Sequence, residues 1–315
     1  MQTIKISYCQ DVEFSQFFNN PLYTNPANAG EPDYSRLCIN YRSRWPFNKD
    51  LKKSYVSYNA SYDQPLIFAG GGIGLLVTHD ILAEGILSNT TGGIMYSHHI
   101  EVSRDFILLA SLQFTVSQSS LDASNIILPD MVFINNNVPN ENISSESFLA
   151  MDYSLGLLAS YNYFEAGFTT HHLTSNSSQN SIIPYPGKRK FSILTQYTIL
   201  LENIRTGKIP KALIPSIIYQ SQGSFQQLQY GIRYQINPLS SGIFIKQNLL
   251  NNVYGIILYL GITYKSYTFG YSYDYNLPNK GVYVPFSGGH ELTLKINLQK
   301  FEKSKGIKAI KCPKI

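Results

Sequence analysis

Apolar and polar positions alternate along most of this chain with a period of two, segment after segment. From position 227, Leu228, Tyr230, Ile232, Tyr234 and Ile236 fall on one face, and Gln227, Gln229, Gly231, Arg233 and Gln235 fall on the other. The last such segment sets Leu292, Leu294, Ile296 and Leu298 against Glu291, Thr293, Lys295, Asn297 and Gln299. A period of two is extended backbone with one apolar and one polar side. The pattern predicts strands near 35–45, 54–63, 71–79, 88–100, 105–116, 151–160, 163–173, 190–200, 211–220, 226–236, 241–248, 253–263, 266–275 and 289–299. Each is close to the roughly 9–11 residues that a tilted strand needs to cross a bilayer. Hardly a helical stretch intervenes. The predicted fold is therefore all-β, a transmembrane antiparallel β-barrel of about 14 strands with lipid outside and water inside. A soluble β-sandwich is the alternative.

The connectors add a second line of argument. Links near 101–104, 161–162, 237–240 and 264–265 are short and share one phase, whereas those near 117–150, 173–189 and 276–288 are long and share the other. Tight periplasmic turns on one side and long loops on the other are what an outer-membrane barrel shows. The links near 64–70 and 201–210 are longer than this rule expects. The longest interruption, Ser117 to Leu149, carries Asn135, Asn136 and Asn137 with Pro129 and Pro139, and reads either as a surface binding loop or as a disordered one. The expected organisation is an N-terminal segment at 1–33, a barrel at 34–299 and a basic periplasmic tail at 300–315.

Composition sharpens the picture. Charged residues are 14% of the chain, against roughly 25% in soluble domains, a deficit that a hydrocarbon-facing surface requires. The 24 Tyr and 17 Phe beside 1 Trp suit rings at the membrane–water boundary, as at Tyr271, Tyr273 and Tyr275, or simply reflect strand propensity. No apolar run approaches the roughly 20 residues of a spanning helix. The net charge of +5 is modest; Lys300, Lys303, Lys305, Lys308, Lys311 and Lys314 make the tail either a contact for phosphate head groups or a solvated terminus. No nucleic-acid motif accompanies it. Cys9, Cys38 and Cys312 lack metal-ligand spacing; a Cys9–Cys312 bridge in an oxidising periplasm is one option for the termini. Met1–Gln10 has neither a basic cluster nor an apolar core, so a secretory signal is expected to be missing from this chain.

Catalytic and cofactor chemistry is not legible. The run Gly70–Gly74 is not followed by a helix that would offer N–H groups to a phosphate. His98–His99 and His171–His172 are adjacent in strand pattern, so each pair is expected to split across the two faces, unable to chelate one metal. Arg36, Arg42, Arg233, Asp274, Glu291 and Lys295 are expected to form a hydrogen-bonded lumen. The expected protein has no catalytic residues, cofactor or metal. The segment Phe14–Gly30 is too proline-broken for a long helix and too apolar for a free tail. It is expected to fold into the lumen as a plug, or to pack beneath the rim as a periplasmic strap. Phe14, Phe17, Asn20, Pro21, Tyr23, Asn25 and Pro26 are its candidate plug or partner-binding residues.

The N-terminal run Gln10-Asp11-Val12-Glu13-Phe14-Ser15-Gln16-Phe17, followed by Asn20-Pro21-Leu22-Tyr23-Thr24-Asn25-Pro26-Ala27-Asn28-Ala29-Gly30, resembles the opening of the PorP/SprF family of Bacteroidetes membrane proteins. The similarity continues through Arg36-Leu37, Asn40-Tyr41-Arg42 and Trp45-Pro46. It resumes at Gly167-Phe168 with His171-His172-Leu173, at Gly270-Tyr271-Ser272-Tyr273-Asp274 and at Gly288-Gly289-His290-Glu291-Leu292. Asn28 departs from the Tyr common in the family. The resemblance implies an integral outer-membrane barrel of the type IX secretion system. It further implies export or surface attachment of large adhesins, or contact with the periplasmic ring and its peptidoglycan-binding proteins, in some species with a link to gliding. Its partners would be those proteins and outer-membrane lipid. A passive porin or a solute or lipid channel is the alternative function, and a barrel enzyme would need a nucleophile–base set that is not recognisable.

Overall fold

The computed structural model describes residues 11–44, 55–125, 145–174, 188–201, 211–249, 252–277 and 288–300. Alternation becomes geometry in β6 (Glu146–Tyr161). Leu149, Met151, Tyr153, Leu155 and Leu157 are exposed, while Ala150, Asp152, Ser154 and Leu158 are buried. The same rule orders β1 (Tyr34–Arg44), β2 (Tyr55–Leu66), β3 (Gly71–Leu82), β4 (Leu87–Glu101), β5 (Phe106–Leu121), β7 (Phe164–His171) and β8 (Lys190–Tyr197). It continues through β10 (Lys211–Gln222), β11 (Phe225–Ile236), β12 (Leu239–Gln247), β13 (Val253–Tyr264), β14 (Tyr267–Asn276) and β15 (Gly288–Lys300).

Neighbours in sequence pair antiparallel throughout. The ring closes where β1 meets β15, from Tyr34↔Lys300 to Arg44↔Gly289. The two-residue β9 (Ile199–Leu200) pairs with β10 beyond the end of β8, so the wall has fourteen staves. Closure satisfies every wall strand's backbone without an edge, the condition for a sheet in hydrocarbon. No helix among the described residues is long and apolar enough to cross a membrane.

The outer wall carries Leu75, Val77, Ile94, Ile193, Leu258, Leu260 and Phe269, all substantially exposed. A continuous apolar exterior of this kind is the lipid face of a barrel. Tyr161, Tyr163, Phe164, Tyr197, Tyr264 and Tyr267 crowd one rim, beside the tight links 162–163 and 265–266, as an interfacial aromatic belt does. This rim is the turn end; links 45–54, 122–145, 172–189 and 277–287 leave from the opposite loop end.

The expected 117–149 interruption is too wide. The β5–β6 ladder continues from Ser117↔Ala150 to Leu121↔Glu146. Its polar members Ser117 and Ser119 point inward and are buried, so a serine-rich stretch that reads as loop is a lumen-facing strand. Positions 126–144 of that loop, the loop positions 175–187 and 278–287, Cys9, Cys312 and the lysine tail beyond 300 lie outside the described residues.

Candidate functional site

Residues 11–30 lie inside the barrel. Two Asn-Pro steps shape the segment. Pro21 opens a single helical turn (Pro21–Thr24) and Pro26 a 3₁₀ turn (Pro26–Asn28), the position where a missing N–H costs nothing. Asn25 caps the second turn, its Oδ1 accepting from Ala27 N at 2.9 Å while its Nδ2 donates to Leu157 O at 2.8 Å. The compact path fits the lumen because it satisfies its own backbone locally and spends its side chains on the wall.

The segment enters β1 from the turn end and reaches back to the loop end. Near the turn end Gly30 N donates to Asp63 Oδ2 at 3.0 Å, and Asp63 also holds Arg36 at 2.9 Å. Near the loop end Asp11 meets Gln222, Lys190 and His172. Between these ends, hydrogen bonds and ion pairs run from the segment to β1, β2, β4, β6, β7, β8, β10, β11, β12, β13, β14 and β15. Apolar packing covers the two remaining staves: Leu22 and Ala29 cluster with Leu76 of β3, and Ala27 with Leu109 of β5.

A charged layer holds the middle of this contact. Asp274 accepts from Arg42 at 2.6 Å, Lys246 at 3.0 Å and the Ser15 hydroxyl at 2.6 Å. Glu291 accepts from the Ser15 and Gln16 backbone N–H groups at 2.6 and 3.1 Å. Glu13 pairs with Lys246 at 2.8 Å, its side chain accepts from Gln227 at 2.6 Å, and its carbonyl accepts from Arg42. These side chains are nearly all buried, so each charge depends on its partners. Beside them Phe17 and Phe18 pack on Phe244, and the Arg233 guanidinium lies 4.4 Å from the Phe18 ring centroid.

The seven candidate residues come together in this segment. Phe14 sits edge-on to Tyr23 with centroids 5.0 Å apart, and the Tyr23 hydroxyl donates to Val12 O. Asn20 accepts from Asn59 at 3.0 Å. Asp11, Glu13, Ser15 and Gln16 join them without a distinguishing pattern of their own, although Asp11 and Glu13 are the only acids between positions 1 and 30.

His172 corrects the sequence expectation for the adjacent histidines. It follows the end of β7 with φ +60°, so its ring is not thrown to the outer face. The His171 and His172 centroids are 6.5 Å apart, with His171 on Ser154 and His172 Nδ1 2.6 Å from Asp152. Its Nε2 lies 3.0 Å from Asp11. No cluster suited to a metal ion occurs among the described residues.

Burial alone would discharge His172, but the Asp11 carboxylate and the hydrogen bonds to Asp11 and Asp152 outweigh it and push the ring up to about 10. Burial would raise Asp11, yet His172 and Lys190 hold it well below the usual carboxylate range. The ring's raised value makes its contribution full below the free value of 6.5 and lost as pH rises through about 10. The depressed Asp11 contributes fully above 3.8 and loses that only as pH falls below it. Brief opening events in planar-bilayer recordings are thus expected to increase from pH 6.5 to 10, and His172→Gln to flatten that rise. Equal opening frequency at pH 5 and pH 10 would dismiss this contact as a latch.

At the turn end two backbones touch. A Cβ on Gly72 would lie 2.3 Å from Ala29 O and 2.4 Å from Gly30 Cα, and Gly30 itself has φ +65°. Neither can accept a side chain without moving backbone. Gly72→Ala is expected to weaken seating of the segment by on the order of 1–3 kcal/mol, read as faster proteolysis at residues 11–30 in an intact barrel. Wild-type proteolysis rates would rule that out.

Residues 6–296 match the family model described as type IX secretion system membrane protein PorP/SprF. No curated protein matches the chain. Among solved structures, a FadL homologue of Pseudomonas aeruginosa aligns at 10% identity with TM-score 0.44, over 89% of this chain and 94% of its own. A mutant of TodX, a monoaromatic hydrocarbon channel, aligns at 11% and 0.46 over 89% and 94%. CdiB from Acinetobacter baumannii aligns at 10% and 0.40 over 84% and 60%.

Proposed function

The chain belongs to the PorP/SprF family of type IX secretion system membrane proteins, and from that premise we propose that it is a non-enzymatic, plugged outer-membrane barrel that docks a secretion partner. Membership and the closed β-barrel make it a secretion-related outer-membrane protein with protein partners in that system. The finer reading is that it supports export or cell-surface attachment of an adhesin-type protein, or ties the barrel to the periplasmic ring and its peptidoglycan-binding components, including in gliding cells. In this reading 1–33 is the plug unit, 34–299 the wall and 300–315 a periplasmic tail. The turn end faces the periplasm, the loop end faces outward, and Phe14, Phe17, Asn20, Pro21, Tyr23, Asn25 and Pro26 serve the plug rather than a partner.

The observation that carries the proposal is the lumen-filling segment. A permanently open porin gains nothing from a segment bonded to almost every stave, whereas a docking barrel in a secretion machine needs its own pore sealed. The test is affinity purification from gently solubilised native outer membranes with mass spectrometry of the associated proteins. Recovery of one large surface protein or of ring components supports the proposal and says which branch applies. A lone barrel, under conditions that preserve a known secretion complex, overturns it.

A further inference from the structure

On the outer wall a cavity of about 700 Å³ opens across β11 to β15 and β1, and none of its lining residues is charged. The ladder registers give its shape. One row of outward side chains crosses the strands through Ile39, Leu294, Phe269, Ile262 and Leu239. A second row, two residues away on each strand, passes through Tyr41, Leu292, Tyr271 and Leu260. Between them lies a floor of inward-facing positions, Thr293, Gly270, Gly261 and Ser240. The glycines let the wall close onto what fills the lumen. A Cβ on Gly270 would lie 2.6 Å from Gln16 Oε1, and one on Gly261 would lie 2.3 Å from the Tyr259 hydroxyl. The exterior dips at the same place. The trough crosses the spacings of six strands, roughly 24 Å, and its two rows stand roughly 7 Å apart.

We propose that this trough binds one phospholipid of the turn-end leaflet, with an acyl chain along Leu260, Phe269 and Leu292 and the phosphate at Lys265. The inference goes beyond the docking reading and rests on the lipid-facing wall alone. Width decides against a protein helix, which with its side chains is about 10–12 Å across. An acyl chain is thinner, and half of a hydrocarbon core about 30 Å thick gives its length, which the trough exceeds. The trough also slopes. Leu239 is the first residue of β12 at the turn rim, while Ile39 lies five residues into β1, as strand tilt requires. A chain lying in it therefore runs from head-group depth toward the midplane. At the rim Lys265, in the turn between β13 and β14, is three residues past Ile262. Its ammonium stands 5.4 Å from the Tyr264 ring centroid, exposed and without an ion pair among the described residues. Tyr264 and Tyr267 hold this turn at the membrane–water boundary, where a lysine acts as a point charge on phosphate oxygens.

The test places the full-length barrel in nanodiscs of phosphatidylethanolamine and phosphatidylglycerol, each lipid in turn carrying a diazirine on one acyl chain. Photolabelled residues are then identified by peptide mass spectrometry. Labelling is expected to concentrate on the trough residues of β13, β14 and β15. Ser241 sits in the second row between Tyr234 and Leu260, so Ser241→Phe fills the trough from the lipid side and is expected to abolish that concentration. Lys265→Gln is expected to lower it about fivefold, the worth of one lysine near a phosphate surface, and serves if Ser241→Phe fails to insert. An equal drop for both lipids supports the site with the shared phosphate as its handle. A drop for phosphatidylglycerol alone supports it with a preference for anionic lipid. Leu157→Phe, outward on β6 at the opposite wall, is the control and is expected to change nothing. Labelling spread evenly over the outward rows, or unchanged in either folded variant, overturns the site. Weaker labelling in the trough than around Leu157, with crosslinks to a second barrel, overturns it in favour of a protein interface.

Discussion

Removing residues 11–30 is expected to turn a closed barrel into a conducting one. The segment's contacts run around the whole wall, from Asn59 of β2 through Ser97, Leu157 and Thr169 to Lys246 and Glu291. The wall does not depend on the segment for its own hydrogen bonds, since β1 pairs with β15 and β2 along its length. The deletion variant should therefore still insert as a heat-modifiable barrel. Planar-bilayer recordings should then show stable, discrete current steps, where the intact protein holds a closed baseline with rare openings. The lumen left behind is lined by Arg42, Lys246, Asp274 and Glu291, so the current should be strongly salt-dependent. A folded deletion variant with the wild-type baseline would show that the segment is not what closes the pore, and the strap reading would replace the plug.

The second large effect is expected at Asp274. Its carboxylate is the shared acceptor of Arg42, Lys246 and Ser15, two wall cations and the segment's own hydroxyl. Asp274→Ala leaves two buried cations short of one anion, a loss of about 3–5 kcal/mol for breaking a buried pair from one side. Arg42 keeps Glu291 at 3.5 Å and Lys246 keeps Glu13 at 2.8 Å, which places the cost at the lower end of that range. The expected result is a lowered temperature of heat-modification together with frequent opening in bilayers. Combining Asp274→Ala with Lys246→Met should recover part of the loss, because it removes one of the stranded charges. A double variant that loses the full sum of the singles would mean that Lys246 matters through Glu13 and not through Asp274.

Much of this was legible in the sequence itself. The predicted strand at 226–236 is β11 at Phe225–Ile236, and Gln227 and Gln229 are buried as the alternation requires, with Ile232 exposed. The predicted strand at 289–299 is β15 at Gly288–Lys300, with Leu292 out and Glu291 in. Misreadings share a cause. Ser117–Leu121 looks like loop because small polar residues carry no hydrophobic signal, yet a lumen face accepts them. His171–His172 looks like a split pair because a strict period assumes that the strand continues, and one residue at φ +60° ends it.

By itself, then, the sequence determined the strands, their two faces, the phase of turns and loops, and an N-terminal segment unable to be either a long helix or a free tail. These properties are local: period, Pro spacing and link length are written within ten or so positions. Only the tertiary structure decided where that segment goes and what it binds. Ser15 meets a carboxylate 276 positions away in Glu291, and Asp11 meets His172 161 positions away. Such pairings exist only once fourteen staves close into a ring of fixed register, which brings wall residues from every part of the sequence around one buried segment.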